Sequence, residues 1–322
     1  MGFEHLSTNF DPNKAFLVII CGPTGIGKTS VAIEIATAEN GEIIGADSMQ
    51  IYRQMTIGTA KPTEAEQARV PHHMVDVVDP TENFDAAKFA AMAGRIISDL
   101  GRRGVLPVVA GGTGLYIKAL TRGIFEIEVG DPQIRAELKA AAETKGMAAL
   151  YRELEKVDPE TASRVHPNDS YRVIRALEVH ADTGNTMSRL QAEHAFAEDK
   201  YNCLKIGLTM DRDRLYERIN RRVDMMIDEG LEAEVRGLLD RGLSPDLKAM
   251  QSIGYRHMAA YLQRQMDWGE MVATLKRDTR RYAKRQFTWF RADPEVRWFE
   301  PQETDDILAL VRSFLERVER MK

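Results

Sequence analysis

Short apolar runs alternate with helical periodicity over the first 120 residues. Phe16–Cys21 (FLVIIC), Glu42–Asp47 (EIIGAD), His72–Val78 (HHMVDVV) and Val105–Gly111 (VLPVVAG) read as strands. Segments 28–39 and 84–102, lying between them, carry helical spacing. Apolar, β-branched strands separated by helices predict a parallel sheet covered by helices. A fifth run, Cys203–Met210 (CLKIGLTM), predicts a returning strand. Between 122 and 200 the strand signal disappears, and 131–145, 146–156, 158–164 and 169–183 read as helices. Asp131-Pro132 and Asp158-Pro159 are start signals there. Helices follow at 211–227, 229–240, 252–264 and 268–291, then a strand at 296–299 and an amphipathic helix at 304–320. The expected fold is α/β, with residues 1–121 and 201–322 forming the sheet-bearing core and 122–200 a helical insertion.

Gly22-Pro23-Thr24-Gly25-Ile26-Gly27-Lys28-Thr29 follows the first strand and opens the first helix. It fits G-x-x-x-x-G-K-[ST], so the core is expected to be P-loop NTPase-like. Backbone N–H groups and the helix N-terminus form an anion site, Lys28 adds a positive charge, and the Thr29 hydroxyl can hold Mg²⁺. The motif indicates a diphosphate or triphosphate without selecting the nucleotide or the bond that breaks. Asp47 ends the second strand, in the crevice where ligands of such sheets bind. Three roles are open to it from position alone: Mg²⁺ ligand, general base, or helix cap. Gly111-Gly112-Thr113-Gly114 follows another strand, with glycines that permit close approach and a hydroxyl that can enter the same crevice.

Several blocks together resemble the tRNA dimethylallyltransferases. They are GPTGIGKT (22–29), ADSMQIY (46–52), IGTAKPT (57–63), PHHMVDVVDP (71–80), GGTGLYIKAL (111–120), RVHPNDSYRVIRALEV (164–179), QSIGYR (251–256) and RRYAKRQFTWFR (280–291). The likeness covers about residues 16–291, in the family's order; the tail beyond matches no block. It implies transfer of a dimethylallyl group from dimethylallyl diphosphate to N6 of the adenosine on the 3′ side of the anticodon. The acceptors implied are tRNAs reading codons that begin with U, engaged through the anticodon stem-loop.

The resemblance makes Asp47 the base on N6 and Thr113 its hydrogen-bonding neighbour. It assigns Arg222 to the diphosphate; Arg218, one turn earlier on the same helix face, can help. It implies tRNA contacts at Ser48, Met49, Gln50, Arg135, Tyr171, Arg172, Arg175, Gln251, Gly254, Tyr255 and Arg256. This chemistry accounts for the residue types: a departing diphosphate needs cations, and an exocyclic amine needs a carboxylate to orient it and take its proton. The kinase alternative, with Asp47 acting on a hydroxyl, leaves the basic C-terminal helix unexplained. A relative that alkylates free nucleotides leaves the helical insertion unexplained as well.

The 322 residues carry 44 basic and 49 acidic side chains, a net charge of −5, which argues against nucleic-acid binding through bulk charge. Residues 276–291 alone carry +6, leaving −11 over the rest. On that helix Arg277, Arg281, Lys284, Thr288 and Arg291 share a face that could follow a phosphate backbone. Arg285 adds to the charge, Gln286 can read a base edge, and Trp289 is a candidate to stack on one. Two cysteines exclude a disulfide scaffold and a Cys-rich zinc site. With no secretory signal or spanning segment in view, a cytoplasmic protein is expected, and with no association motif, a monomer.

Overall fold

The computed structural model of the chain describes residues 11–124, 132–194 and 199–320. Two compact units emerge: one runs through Thr121 and resumes at Asp199, the other spans Arg122–Glu198.

The first unit is built on six parallel strands. They are β1 (Phe16–Cys21), β2 (Gly41–Gly45), β3 (His72–His73), β4 (Leu106–Gly111), β5 (Asn202–Leu208) and β6 (Arg297–Phe299). Their order is β3-β2-β4-β1-β5-β6. Central β1 has no accessible surface from Leu17 to Ile20, which is why its apolar run is continuous rather than alternating. The covering helices are α1 (Lys28–Ala38), α2 (Glu64–Arg69), α3 (Ala86–Arg102) and α4 (Gly114–Arg122). In the second unit follow α5 (Pro132–Lys145), α6 (Met147–Val157), α7 (Pro159–Arg164), α8 (Ser170–Thr183) and α9 (Met187–His194). The chain then returns through α10 (Arg212–Asp228), α11 (Leu231–Asp240), α12 (Tyr255–Leu262), α13 (Trp268–Arg291) and α14 (Thr304–Glu319). None of the described helices is long and apolar enough to cross a membrane.

The α/β class with parallel strands stands as expected, with local corrections. The strand expected over 72–78 stops at His73, because Met74 and Asp76 take left-handed backbone angles (φ 63° and 55°). The chain turns there, and Val77 and Val78 donate instead to the carbonyl of Ile51. Buried Lys61 fixes the turn by donating to Asp76 and to the Tyr52 carbonyl. The helix expected over 252–264 begins only at Tyr255, after Gly254 at φ 98°. The sequence pattern also missed α2, whose Thr63 and Glu66 form a capping box, and α9.

The second unit packs α5–α8 around Leu150, Leu154, Val173, Ala176 and Leu177. Asp158 caps α7 through the Thr161 amide at 3.0 Å and accepts from Ser188 N at 3.0 Å, as its Asp-Pro pairing predicts. Asp131 lies outside the described residues. In the first unit, the amide of Lys200 donates to the Thr121 carbonyl at 2.9 Å.

Candidate active site

β1 delivers the Gly22–Thr29 loop at its carboxyl end. Gly22, Gly25 and Gly27 all have positive φ (141°, 79° and 105°), a backbone course that side chains resist. Ile26 is fully buried and anchors the loop, and Lys28 opens α1. Lys28 Nζ folds back to donate to the Pro23 carbonyl at 2.9 Å. Burial lowers its pKa to about 8; Asp47 opposes that shift and Arg222 adds to it. Gly25, Gly27, Thr29, Lys61, Arg218 and Arg222 line a cavity of about 420 Å³ beside the loop.

Asp47 leaves the end of β2. Its Oδ1 accepts from the amides of Met49 (2.8 Å) and Gln50 (3.3 Å), so the residue does close a local turn. The same side chain also lines a second cavity of about 300 Å³, together with Thr24, Ser48, Met49, Arg222, Tyr282 and Arg285. Arg222 thus belongs to both cavities. Burial lowers its pKa while Asp47 works to raise it. Ile219, Val223, Met226 and Leu275 give the second cavity an apolar wall from α10 and α13.

The Gly111–Gly114 turn closes the site because three of its four residues lack side chains. A Cβ on Gly111 would sit 2.0 Å from the Ala46 carbonyl oxygen, on Gly112 2.1 Å from Gln286 Nε2, and on Gly114 2.1 Å from the Trp289 ring. Thr113 Oγ1 accepts from the Ser48 amide at 3.0 Å. The Tyr282 hydroxyl is hydrogen-bonded to Thr113 and Gln286, and burial followed by the charge of Asp47 pushes its pKa up. Tyr282 is therefore a site residue that its sequence position, among other aromatics of a basic helix, did not single out.

Two residues expected to contact RNA are buried. Gln286 is only 5 % exposed; its Oε1 accepts from Thr24 N and its Nε2 donates to Gly112 O, both at 2.8 Å. It fastens the P-loop to the Gly111–Gly114 turn, with both ends of its amide taken by backbone. Tyr255 has no accessible surface; its ring underlies Gly58 and its hydroxyl donates to Glu234. Gln50 also turns inward, donating to the carbonyls of Thr59 and Ala60. Gln251, Gly254 and Arg256 line the Asp47 cavity. Glu234 carried no sequence signal, yet it accepts from three successive amides, Thr56, Ile57 and Gly58, at 2.8–3.1 Å.

The basic helix α13 divides its charges. Lys276 and Arg280 pair with Asp224 and Asn220 of α10. Arg277, Arg281, Lys284, Arg285 and Arg291 are exposed. Arg285 lies over the Tyr282 ring, Arg291 over Phe287, and Trp289 is 43 % exposed. Within the second unit, the four expected RNA contacts gather on α5 and α8. Arg135 lies over the ring of exposed Tyr171, Arg175 pairs with Glu178 at 3.0 Å, and Arg172 sits 3.5 Å from Asp169.

The family model described as IPP transferase matches residues 50–293, and that of isopentenyl transferase matches residues 15–75. The chain belongs to the IPP transferase family. It is accordingly a prenyltransferase. It is 53% identical over 305 residues to the tRNA dimethylallyltransferase of Desulfosudis oleivorans, covering 94% of this chain and 97% of that one. The tRNA dimethylallyltransferase of Geobacter sulfurreducens is 50% identical over 303 residues, with 94% and 97% covered. Among solved structures, the full-length tRNA isopentenylpyrophosphate transferase of Bacillus halodurans superposes with a TM-score of 0.72 at 42% identity, covering 96% of this chain and 99% of that one. A eukaryotic dimethylallyltransferase captured acting on tRNA gives a TM-score of 0.76 at 29% identity, covering 93% and 77%.

Proposed function

We propose that this IPP transferase moves a dimethylallyl group from dimethylallyl diphosphate to N6 of the adenosine on the 3′ side of the anticodon. The observation that carries the proposal is the position of Arg222 on both cavities. A diphosphate held at the P-loop can extend its short alkyl end past Arg222, along Ile219, Val223 and Met226, toward Asp47.

The step balances simply. The C1–O bond to diphosphate breaks, the N6–C1 bond forms, and the N6 proton passes to Asp47. Lys28, Arg222 and Arg218 face the departing negative charge, which is where fixed cations lower the barrier. The Asp47 carboxylate is held by its own turn, with Thr113 and Tyr282 packed around the reacting position. Thr29 fits the Mg²⁺ role because it lines the phosphate cavity; Mg²⁺ commonly takes one or two protein ligands with substrate phosphate and water. When bound there, the ion would supply Lewis-acid stabilisation of the diphosphate.

The acceptor is proposed to be a tRNA anticodon stem-loop, among tRNAs reading codons that begin with U. Arg281, Lys284, Arg285 and Arg291 on α13, with Arg135, Arg172 and Arg175 in the second unit, are its proposed phosphate contacts. Relatives bearing the name tRNA dimethylallyltransferase at about half identity support this reading. The test is incubation of purified protein with labelled dimethylallyl diphosphate and unmodified tRNA. Mass spectrometry should find the label on one adenosine beside the anticodon; label on free nucleotide but none on tRNA would refute the proposal.

A further inference from the structure

Residues 276–291 contain one acid, Asp278, among seven basic side chains. It sits at the centre of a fan of cations. Oδ2 accepts from Arg256 Nη2 at 2.8 Å and lies 3.2 Å from His257 Nε2, both on α12. Oδ1 accepts from Arg277 Nε at 3.1 Å and stands 3.7 Å from Arg281 Nη1, both on α13. The carboxylate side chain is 18% exposed, whereas Arg256, Arg277 and Arg281 are 41%, 48% and 65% exposed. The anion therefore lies beneath a layer of guanidinium groups that open outward. Burial works to raise the Asp278 pKa, but hydrogen bonds from Arg277, His257 and Arg256 together outweigh it and hold it at about 2. The carboxylate is ionised at any pH the protein meets. Buried His257 braces it from below and cannot itself reach a ligand outside.

A lone acid on a nucleic-acid-binding face subtracts charge and, on charge alone, weakens association. It can repay that loss by ordering long side chains before the ligand arrives, since a flexible arginine loses rotamer freedom when it grips a phosphate. We infer that Asp278 is a positioning residue of the acceptor-binding face: it holds Arg256, Arg277 and Arg281 in one array that faces the phosphates of an RNA. The inference rests on the proposed tRNA acceptor.

Charge and positioning predict opposite signs, which makes Asp278→Asn decisive. The substitution is nearly isosteric and makes the face one unit more basic. Affinity of the full-length protein for unmodified tRNA, read by fluorescence anisotropy across a salt series, should fall about tenfold, and the salt slope should flatten. In an Arg256→Ala/Arg281→Ala background, Asp278→Asn should add less than about twofold, because the groups it positions are gone. Affinity of the single Asp278→Asn variant for dimethylallyl diphosphate should stay at the parent value. Equal or tighter tRNA binding by Asp278→Asn would overturn the inference, as would an undiminished loss in the double-arginine background. Joint loss of diphosphate and tRNA binding, in this variant and in Asp278→Ser, would make Asp278 a folding residue and equally overturn it. Parent protein that fails to bind tRNA would overturn the proposed acceptor along with it; the other failures leave that proposal standing.

Discussion

Gln286 Oε1 lies 2.8 Å from the backbone nitrogen of Thr24, a residue 262 positions earlier in the chain. The other end of the same amide donates to Gly112 at 2.8 Å. One buried side chain of α13 thus joins the P-loop to the turn that carries Thr113. Gln286→Leu keeps the volume and strands both backbone groups, at a cost of about 1–3 kcal/mol for each. Denaturant unfolding should register that loss, and KM for dimethylallyl diphosphate should rise while tRNA affinity holds. A fall in tRNA affinity at unchanged stability would return Gln286 to the RNA face.

Asp47 has a structural duty as well as the proposed chemical one, and Asp47→Asn separates them. An Asn oxygen can still accept from the amides of Met49 and Gln50, so the turn persists. It cannot take a proton from N6. Single-turnover transfer should slow by about 10²–10⁴-fold, the usual worth of a positioned base, with both substrates still bound. Near-normal turnover would remove Asp47 from that role.

Lys28 links affinity to pH. Its pKa is lowered from 10.5 to about 8, and the protonated form is the one that attracts diphosphate. Affinity for an alkyl diphosphate should therefore decline as pH rises through about 8, well before an ordinary lysine would lose its charge. The sign for folding is the reverse. Between about pH 8 and 10.5 the unfolded chain binds the extra proton, so this residue makes the ligand-free protein gain stability with rising pH in that window. Calorimetric titration with dimethylallyl diphosphate from pH 7 to 10 checks the first statement; affinity that stays flat to pH 9.5 contradicts it.

Glu234 holds the 56–58 segment, whose Gly58, with the adjoining Thr59, forms a wall of the Asp47 cavity. Glu234→Ala should lower stability by about 1–3 kcal/mol. It should also speed amide hydrogen exchange at Thr56, Ile57 and Gly58 selectively. Protection unchanged at those three amides would show that the segment is held by other contacts.

The parts of the site that were legible in the sequence are those written in backbone demands. Three glycines before Lys28, Asp47 at a strand end and Gly-Gly-Thr after another each state a local geometry, and the parallel sheet then brings those ends together. Periodicity also located α13 and its exposed cations. It could not tell which polar residue of that helix faces inward. Gln286 sits one position from exposed Arg285, and only the missing side chain of Gly112 reveals the space it enters. The burial of Tyr255 was hidden for the same reason, since the space it fills is made by Gly58. The shortened third strand turns on left-handed Met74 and Asp76, whose residue types give little warning of that conformation.

The hydrogen bond between Lys200 and Thr121 closes the gap where the chain leaves the sheet-bearing unit and re-enters it. The 122–198 unit is therefore a detachable side loop in topological terms, and the strand order on either side does not depend on its length. Selection can lengthen, shorten or resurface those helices while the phosphate pocket stays unaltered. Under the proposed function, in which Arg135, Arg172 and Arg175 of that unit meet the RNA, the range of acceptors and the chemistry performed on them can drift on separate schedules within one chain.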